Sequence, residues 1–368
     1  MKEIAIATRD YEQWVRGFVP LNPTEIDFKH EQMRSSSFAF LRATFYRWMQ
    51  VFPRTCDELN EAPTVLAVGD LHVENFGTWR DIEGRLVWGV NDFDEAAWLP
   101  YTIDLVRIAA SVELATEANH LRIDIEDACE ALVRGYQKAL MAGGGPFVLA
   151  ERHPALRRLA TGELRNPVSF WAKMDALPKL KDIDDPDAKA ALLASIPSPT
   201  DASEFKSRRA GLGSLGRPRF VVLADWAGGR VAREAKALSP SAAVWAGSIT
   251  DPGALLYSEI MSKSIRCQDP YTTLRGDWLI RRLAPDCSRI ELAQLPVERD
   301  DLRLMEAMGA ETANIHLGSH DRIQKVLDHL NAQPKKWLKK ACEAMTIELR
   351  GDFKEFQRQG GGSGFGQR

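Results

Sequence analysis

The 368-residue chain has little net charge of either sign. Its 48 Lys+Arg stand against 51 Asp+Glu, a formal net charge of −3. No global basic field of the kind that holds a nucleic acid exists, so no nucleic-acid partner is expected. Cysteine is scarce and odd in number: Cys56, Cys129, Cys267, Cys287 and Cys342 form no CxxC pair. That argues against a structural zinc site and a disulfide framework, and leaves reduced, mostly buried thiols as the expectation. No apolar run is long enough to span a bilayer, and Met1-Lys2-Glu3-Ile4-Ala5-Ile6-Ala7-Thr8 lacks the apolar core of a signal peptide. A cytoplasmic protein with no membrane partner is therefore expected. None of the seven histidines falls in an HExxH spacing, and no GxSxG elbow occurs, so metalloprotease and α/β-hydrolase readings lack support.

Hydrophobic residues make up 45% and charged residues 27%, the balance of a globular protein with a real core. The length suits one large two-lobed domain or two ordinary ones. Residues 1 to about 62 read as mainly helical, with a core helix over Phe38–Met49. Short apolar strands are expected at Thr64–Val68 and Leu86–Val90, and a helix over 102–142. Residues 146–205, rich in proline and charge, read as irregular helices. A β-hairpin follows, Phe220–Leu223 and Arg230–Lys236, turning at Gly228-Gly229. A helix at about 253–266, strands at 278–283 and 289–295, and helices from Asp300 to about Gln357 complete the reading. The tail, residues 359–368, is glycine-rich and expected to be flexible.

The chemistry-bearing residues cluster at two strand ends. Asp70 and Asn75 share the loop Gly69-Asp70-Leu71-His72-Val73-Glu74-Asn75, and Asp92 and Asp94 follow the next strand in Asn91-Asp92-Phe93-Asp94-Glu95. Oxygen ligands so placed can hold a divalent cation and leave one carboxylate as a base, the set that phosphoryl transfer needs. The alternative is an ordinary turn in which Asp and Asn cap backbone groups. His72, in the same loop, is placed to brace it. His316, at helical spacing, reads as a packed histidine rather than a ligand.

Farther on, Gly211-Leu212-Gly213-Ser214-Leu215-Gly216 matches GxGxxG, but a β-branched strand follows it, not a helix. That context favours a strand–turn–strand lid over nucleotide phosphates, against a merely flexible loop. Lys236 and Arg233 are the candidate basic groups. Their odd separation puts them on opposite faces of a strand, and Lys236 is preferred. Glu259 is the candidate ion-pair partner, or else an exposed helical acid. The basic segments Arg208-Arg209 and Arg217-Pro218-Arg219 read as a solvated hairpin, with contact to phosphate the alternative.

Taken in order, these segments resemble the kinase-like phosphotransferases, especially the aminoglycoside and choline kinase branch. Gly69–Asn75 looks like that branch's GDxHxxN catalytic loop. Asn91–Ala96 looks like its metal-binding segment, and Tyr101-Thr102-Ile103-Asp104-Leu105-Val106 like the segment beyond, with Asp104 a structural brace. Gly309–His316 resembles the helix that runs into the catalytic loop. The catalytic loop here precedes the glycine loop, so the resemblance implies an α+β, protein-kinase-like two-lobed fold that is circularly permuted. Residues 1–205 would form the helical large lobe, 206–298 the β-rich small lobe and 299–358 the helices that return to the large lobe.

The arrangement is also similar to a bacterial family known only as domain of unknown function 2252, through Ser37–Arg42, GDLHxEN, NDFDEA, GLGSLGRPRF and REAKA. In that family a lysine falls where this chain has Arg233, which would make Lys236 incidental. By resemblance the chain would use ATP, or another purine nucleotide, and Mg2+. Asp70, His72 and Asn75 would form the catalytic loop, and Asn75, Asp92 and Asp94 would hold the metal. Gly211, Gly213, Ser214, Gly216, Lys236, Arg233 and Glu259 would hold the nucleotide. The partner implied is an unidentified acceptor, small molecule or protein. A non-catalytic nucleotide- or partner-binding module and a nucleotidyl transferase are the alternatives.

Overall fold

A computed structural model describes residues 2–149, 153, 154, 156, 157, 166–198, 203–248, 255–287 and 300–360. The expected strand at 289–295 lies outside them, as does the tail from residue 361.

The chain opens with helices α1 (Ile4–Val15), α2 (Pro23–Ser35), α3 (Ser37–Ala43), α4 (Phe45–Thr55) and α5 (Asp57–Asn60). Asn22 caps α2, its side chain accepting from Glu25 N, with Pro23 in the first turn where no N–H is missed. The helix expected over Phe38–Met49 is broken at Thr44. Its hydroxyl donates to Phe40 O at 2.7 Å, and its backbone leaves helical geometry.

Strand β1 (Thr64–Ala67) pairs antiparallel with β4 (Ala97–Pro100). Between them β2 (Phe76–Arg80) and β3 (Leu86–Val90) form a hairpin that β5 (Phe147–Val148) extends to three strands. The register sets Phe76 against Val90, so the loop entering β2 and the loop leaving β3 emerge side by side. That register alone brings residues 69–75 next to residues 91–95.

The helix expected over 102–142 is two, α6 (Tyr101–Glu117) and α7 (Ile125–Ala142). Asn119 takes a left-handed φ of 59°, and Asp124 caps α7 through Glu126 N and Asp127 N. Residues 146–205 hold more than irregular helices. Beside β5 they contain α8 (Pro167–Asp175), β6 (Lys179–Leu180), α9 (Pro186–Ser195) and part of β7 (Ser203–Ser207). Then come β8 (Arg219–Trp226), β9 (Gly229–Ala237), α10 (Ala242–Trp245), α11 (Tyr257–Lys263), β10 (Thr273–Arg275) and β11 (Trp278–Leu283). These six strands form one antiparallel sheet in the order β10-β11-β9-β8-β7-β6. The lobe boundary expected at 205–206 falls inside β7. Ala227 and Gly228, both at positive φ, make the tight β8–β9 turn.

Helix α12 (Asp301–His316), a 3-10 turn (Leu317–Arg322), α13 (Ile323–Ala332) and α14 (Trp337–Gly360) close the chain. Helix α12 crosses α7 at backbone contact: a Cβ on Gly309 would stand 2.1 Å from Leu132 O, and one on Gly135 1.9 Å from Glu306 O. Only glycine admits this approach. One core runs from the helices onto Val222, Ala235 and Ile280 of the sheet, and a small second cluster packs Val221, Leu223 and Ala232 beneath Met174 of α8. The molecule is thus α+β, helices against antiparallel sheets. Among the described residues no helix is long and apolar enough to cross a membrane.

Candidate active site

The loop after β1 is held from below. Asp104, wholly buried on α6, accepts Val68 N at 2.7 Å and Gly69 N at 2.8 Å. His316 Nε2 meets the same carboxylate at 3.0 Å, and its Nδ1 meets Tyr136 OH at 2.8 Å. The packed histidine and the structural brace are therefore one device joining α6, α7 and α12. Gly69 has a φ of +85°, and a Cβ there would stand 2.3 Å from Glu95 O. Within the loop, Asn75 Oδ1 accepts His72 N at 3.1 Å and His72 Nδ1 accepts Glu74 N at 3.2 Å. Asn75 N and O bond His72 O and Asn91 N, tying the loop to the acidic segment.

Asp70 lines a cavity formed by this loop, the acidic segment and the glycine-rich loop. Its Oδ1 accepts Arg107 Nε at 2.8 Å and also Arg107 Nη2. Arg107 is fully buried, with the rings of Phe45 and Trp48 about its guanidinium. Burial raises the Asp70 carboxyl to about 6, although Arg107 pulls it down. Glu95, in the same cavity, is pushed up to about 7 by burial, against the pull of Arg217.

The six-stranded sheet meets the acidic segment through Lys236. Partners in register share a face, so Arg219, Glu234, Lys236 and Arg281 lie on one face of β8, β9 and β11. Lys236, 2% exposed, reaches Asp92 at 3.4 Å and pairs still more closely with Asp94. Burial is the largest influence on Asp92 and opposes its ionisation, but Lys236, a hydrogen bond from Asp94 and the charges of Arg281 and Arg219 together hold that carboxyl well below the usual range. Burial and the charge of Asp92 push Asp94 the other way. Asp94 Oδ1 is buried with no hydrogen-bond donor among the described residues. Beside Lys236, buried Glu234 binds Arg208, Arg219 at 3.0 Å and Arg281 at 2.7 Å, three guanidinium groups on one carboxylate.

Gly211–Gly216 folds down onto Asp70. Lys29 Nζ donates to Gly213 O at 3.2 Å, Asn22 N to Gly216 O at 2.9 Å, and Arg219 Nη2 to Ser214 Oγ at 2.9 Å. The N–H groups of Ser214, Leu215 and Gly216 already bond Gly211 O, Leu212 O and Glu25. The cavity left under the loop is about 60 Å3. That holds a few water molecules, whereas small-molecule sites run from roughly 300 Å3.

Asp70, His72, Asn75, Asp92, Asp94, Gly211, Gly213 and Ser214 line this one cavity, and Lys236 meets its acids. Three predicted residues stand elsewhere. Gly216, at the far end of its loop, bonds Asn22 N and Glu25 beside α2. Arg233 turns to the other face of β9, donating to Ser195 O and lying over Tyr271. Glu259 pairs with Lys263, one helical turn on, at 2.6 Å. The acidic partners of Lys236 come instead from the segment after β3. The solvated hairpin is corrected for Arg217 and Arg219, both buried and turned inward. Arg107, Lys29, Glu95 and Glu234 also shape the site; Glu95 and Glu234 lie within NDFDEA and REAKA without an expected role, and Arg107 and Lys29 lie in no motif. A signal for Arg107 is present in the sequence: a single cation inside the apolar run 105–112 must find a buried acid.

Among the described residues no three His, Cys, Asp or Glu side chains form a metal cluster. The donors that could take a cation are all oxygens: Asp92, the inward Oδ1 of Asp94 and the Asn75 amide. That set suits Mg2+, which accepts few protein ligands and takes the rest from phosphate and water. Residues 21–159 match the model of a family described as an uncharacterized protein conserved in bacteria (DUF2252). No curated protein and no solved structure matches the chain.

Proposed function

We propose that the protein is an ATP- and Mg2+-dependent phosphotransferase on a circularly permuted kinase-like fold, acting in the cytoplasm on an acceptor that carries a transferable proton. The observation that carries this reading is convergence. Residues near 70, 92 and 213, from three separated segments, line one cavity, and Lys236 of the sheet meets two of its acids. Phosphoryl transfer asks for a base, oxygen ligands for a metal and cations on the phosphates, and catalysis is mostly their positioning.

Asp70 would take the acceptor's proton, with Arg107 fixing its orientation and keeping it ionised at neutral pH. Asn75, Asp92 and Asp94 would hold Mg2+, which when bound neutralises phosphate charge. Lys236 would turn from the acids to the phosphates, beside Arg219 on the same sheet face. The glycine loop would lift to admit the nucleotide and then cover it.

The test is turnover of ATP with a panel of acceptors, read by mass. A gain of one phosphate on the acceptor, lost in Asp70→Asn, supports the reading, whereas a gain of AMP would make the protein a nucleotidyl transferase. One set of observations favours a second reading. Lys236 is engaged, the N–H groups of Ser214, Leu215 and Gly216 are satisfied, and the cavity is about 60 Å3. A non-catalytic binding module would look like this, and would give no turnover that depends on Asp70.

A further inference from the structure

A second cavity lies beside the acidic segment, toward β2, α11 and β11. Asn91 borders both, and Trp79, Phe93, Met261, Arg266, Asp269 and Arg282 are among its walls. Arg266 sits with Trp79 at 4.5 Å and Phe93 at 5.0 Å from its guanidinium. Its Nε and Nη1 are buried and make no hydrogen bond among the described residues, and Arg282 Nε is in the same state. Buried donors in native proteins are nearly always satisfied, so three unpaired guanidinium nitrogens on two residues that line one cavity call for an acceptor.

The acids nearby do not supply it. Asp269 pairs with Arg282 at 3.3 Å and also accepts Tyr271 N. Glu311 accepts Val90 N and Asn314 Nδ2, and burial pushes its carboxyl to about 7, so its charge is partial at neutral pH. Arg281 is committed to Glu234. The space is about 50 Å3. At roughly 10–15 Å3 for each water-sized atom, that is room for about four oxygens, the content of a phosphate group and twice that of a carboxylate.

We propose that Arg266 and Arg282 form a phosphate-binding site in this second cavity, separate from the Asp70 site, taking a phosphate group either free or as the head of a small monoester. Guanidinium forks are the usual partners of such an oxyanion, and the rings stacked on Arg266 keep its donors aimed. Phe93 lies between Asp92 and Asp94 in sequence, so an occupied site would press on the segment that bears both acids.

The experiment titrates the full-length protein with inorganic phosphate at constant ionic strength, by calorimetry and thermal shift, with acetate as the control anion. Wild type should bind phosphate saturably and melt at a higher temperature with it. Arg266→Gln should weaken binding at least about tenfold, and Lys236→Met, in the first cavity, should leave it. Met261→Trp keeps every charge and fills the cavity, so it should abolish binding even if Arg266→Gln does not fold. Phenyl phosphate competing with inorganic phosphate would show that the head of a monoester is accepted, and its failure would restrict the site to the free ion. Saturable binding that survives Arg266→Gln and Met261→Trp, loss only in Lys236→Met, equal affinity for acetate, or no saturable binding would each overturn the proposal. None of these readouts depends on turnover of ATP.

Discussion

Arg107 sets the state of Asp70. A buried carboxylate with no partner would be protonated at neutral pH; with Arg107 against it, Asp70 titrates at about 6. Turnover should therefore rise with pH through about 6 and level off above it, as the base loses its proton. Asp70→Asn should cost about 10^2- to 10^4-fold in turnover while nucleotide still binds, a separation that calorimetry and a rate assay on one preparation can measure. Asp70, Asn75 and Asp92 were legible because spacing in a hairpin is local information. That Lys236 and Arg233 face opposite ways was legible too, because strand parity forces one to each face, but parity does not say which of them meets the acids. The partners of Arg107 and Glu234 were not legible, because they lie 37 residues away in sequence for Arg107 and on two other strands for Glu234.

At the scale of elements, the site stands on a backbone brace. Removing Asp104 leaves Val68 N, Gly69 N and His316 buried without their acceptor. Asp104→Ala should cost about 3–5 kcal/mol of stability, measured by denaturant unfolding. Gly69→Ala forces a side chain into left-handed φ and against Glu95 O. It should lose about 1–3 kcal/mol or more and reduce turnover beyond its effect on folding, since Asp70 is the next residue. The strands near 64–67, 86–90 and 278–283 and the β8–β9 hairpin were readable from apolar runs and turn glycines. β2, β4, β6 and β10 were not. Their residues alternate poorly or are few, and pairing partners, not local pattern, make them strands. The break between α6 and α7 hid in a run of good helix formers, marked only by the Asp124 cap.

For the whole molecule, five buried carboxyls among the described residues are pushed up: Asp70 to about 6, Glu95 and Glu311 to about 7, and Asp94 and Asp269 in the same direction. Each binds its proton more tightly folded than unfolded. Their contribution is complete below the unfolded value near 4 and is lost as pH rises toward 7. Asp92 and Glu234, held down by cations, work in the opposite sense: their contribution is present above about 4 and lost below it. Melting temperature should therefore fall between pH 5 and 8. Glu95→Gln, which keeps an acceptor for Ala242 N and Ser241, should flatten that fall by on the order of 3 kcal/mol.

The α+β class and the meeting of two distant halves at one cleft followed from the order of motifs. The closed state of the cleft did not, because it depends on Lys29, Asn22 and Glu25 reaching across to the glycine loop. Opening that loop and freeing Lys236 are what a nucleotide would have to accomplish. The most direct measurement is calorimetric titration with ATP, with and without Mg2+, on wild type and Asp92→Ala, with melting temperature followed in parallel. Binding that requires Mg2+, raises the melting temperature of wild type and disappears in Asp92→Ala is the predicted result. A folded protein that takes up no purine nucleotide, or that binds ATP equally well without Mg2+ and without Asp92, would contradict it.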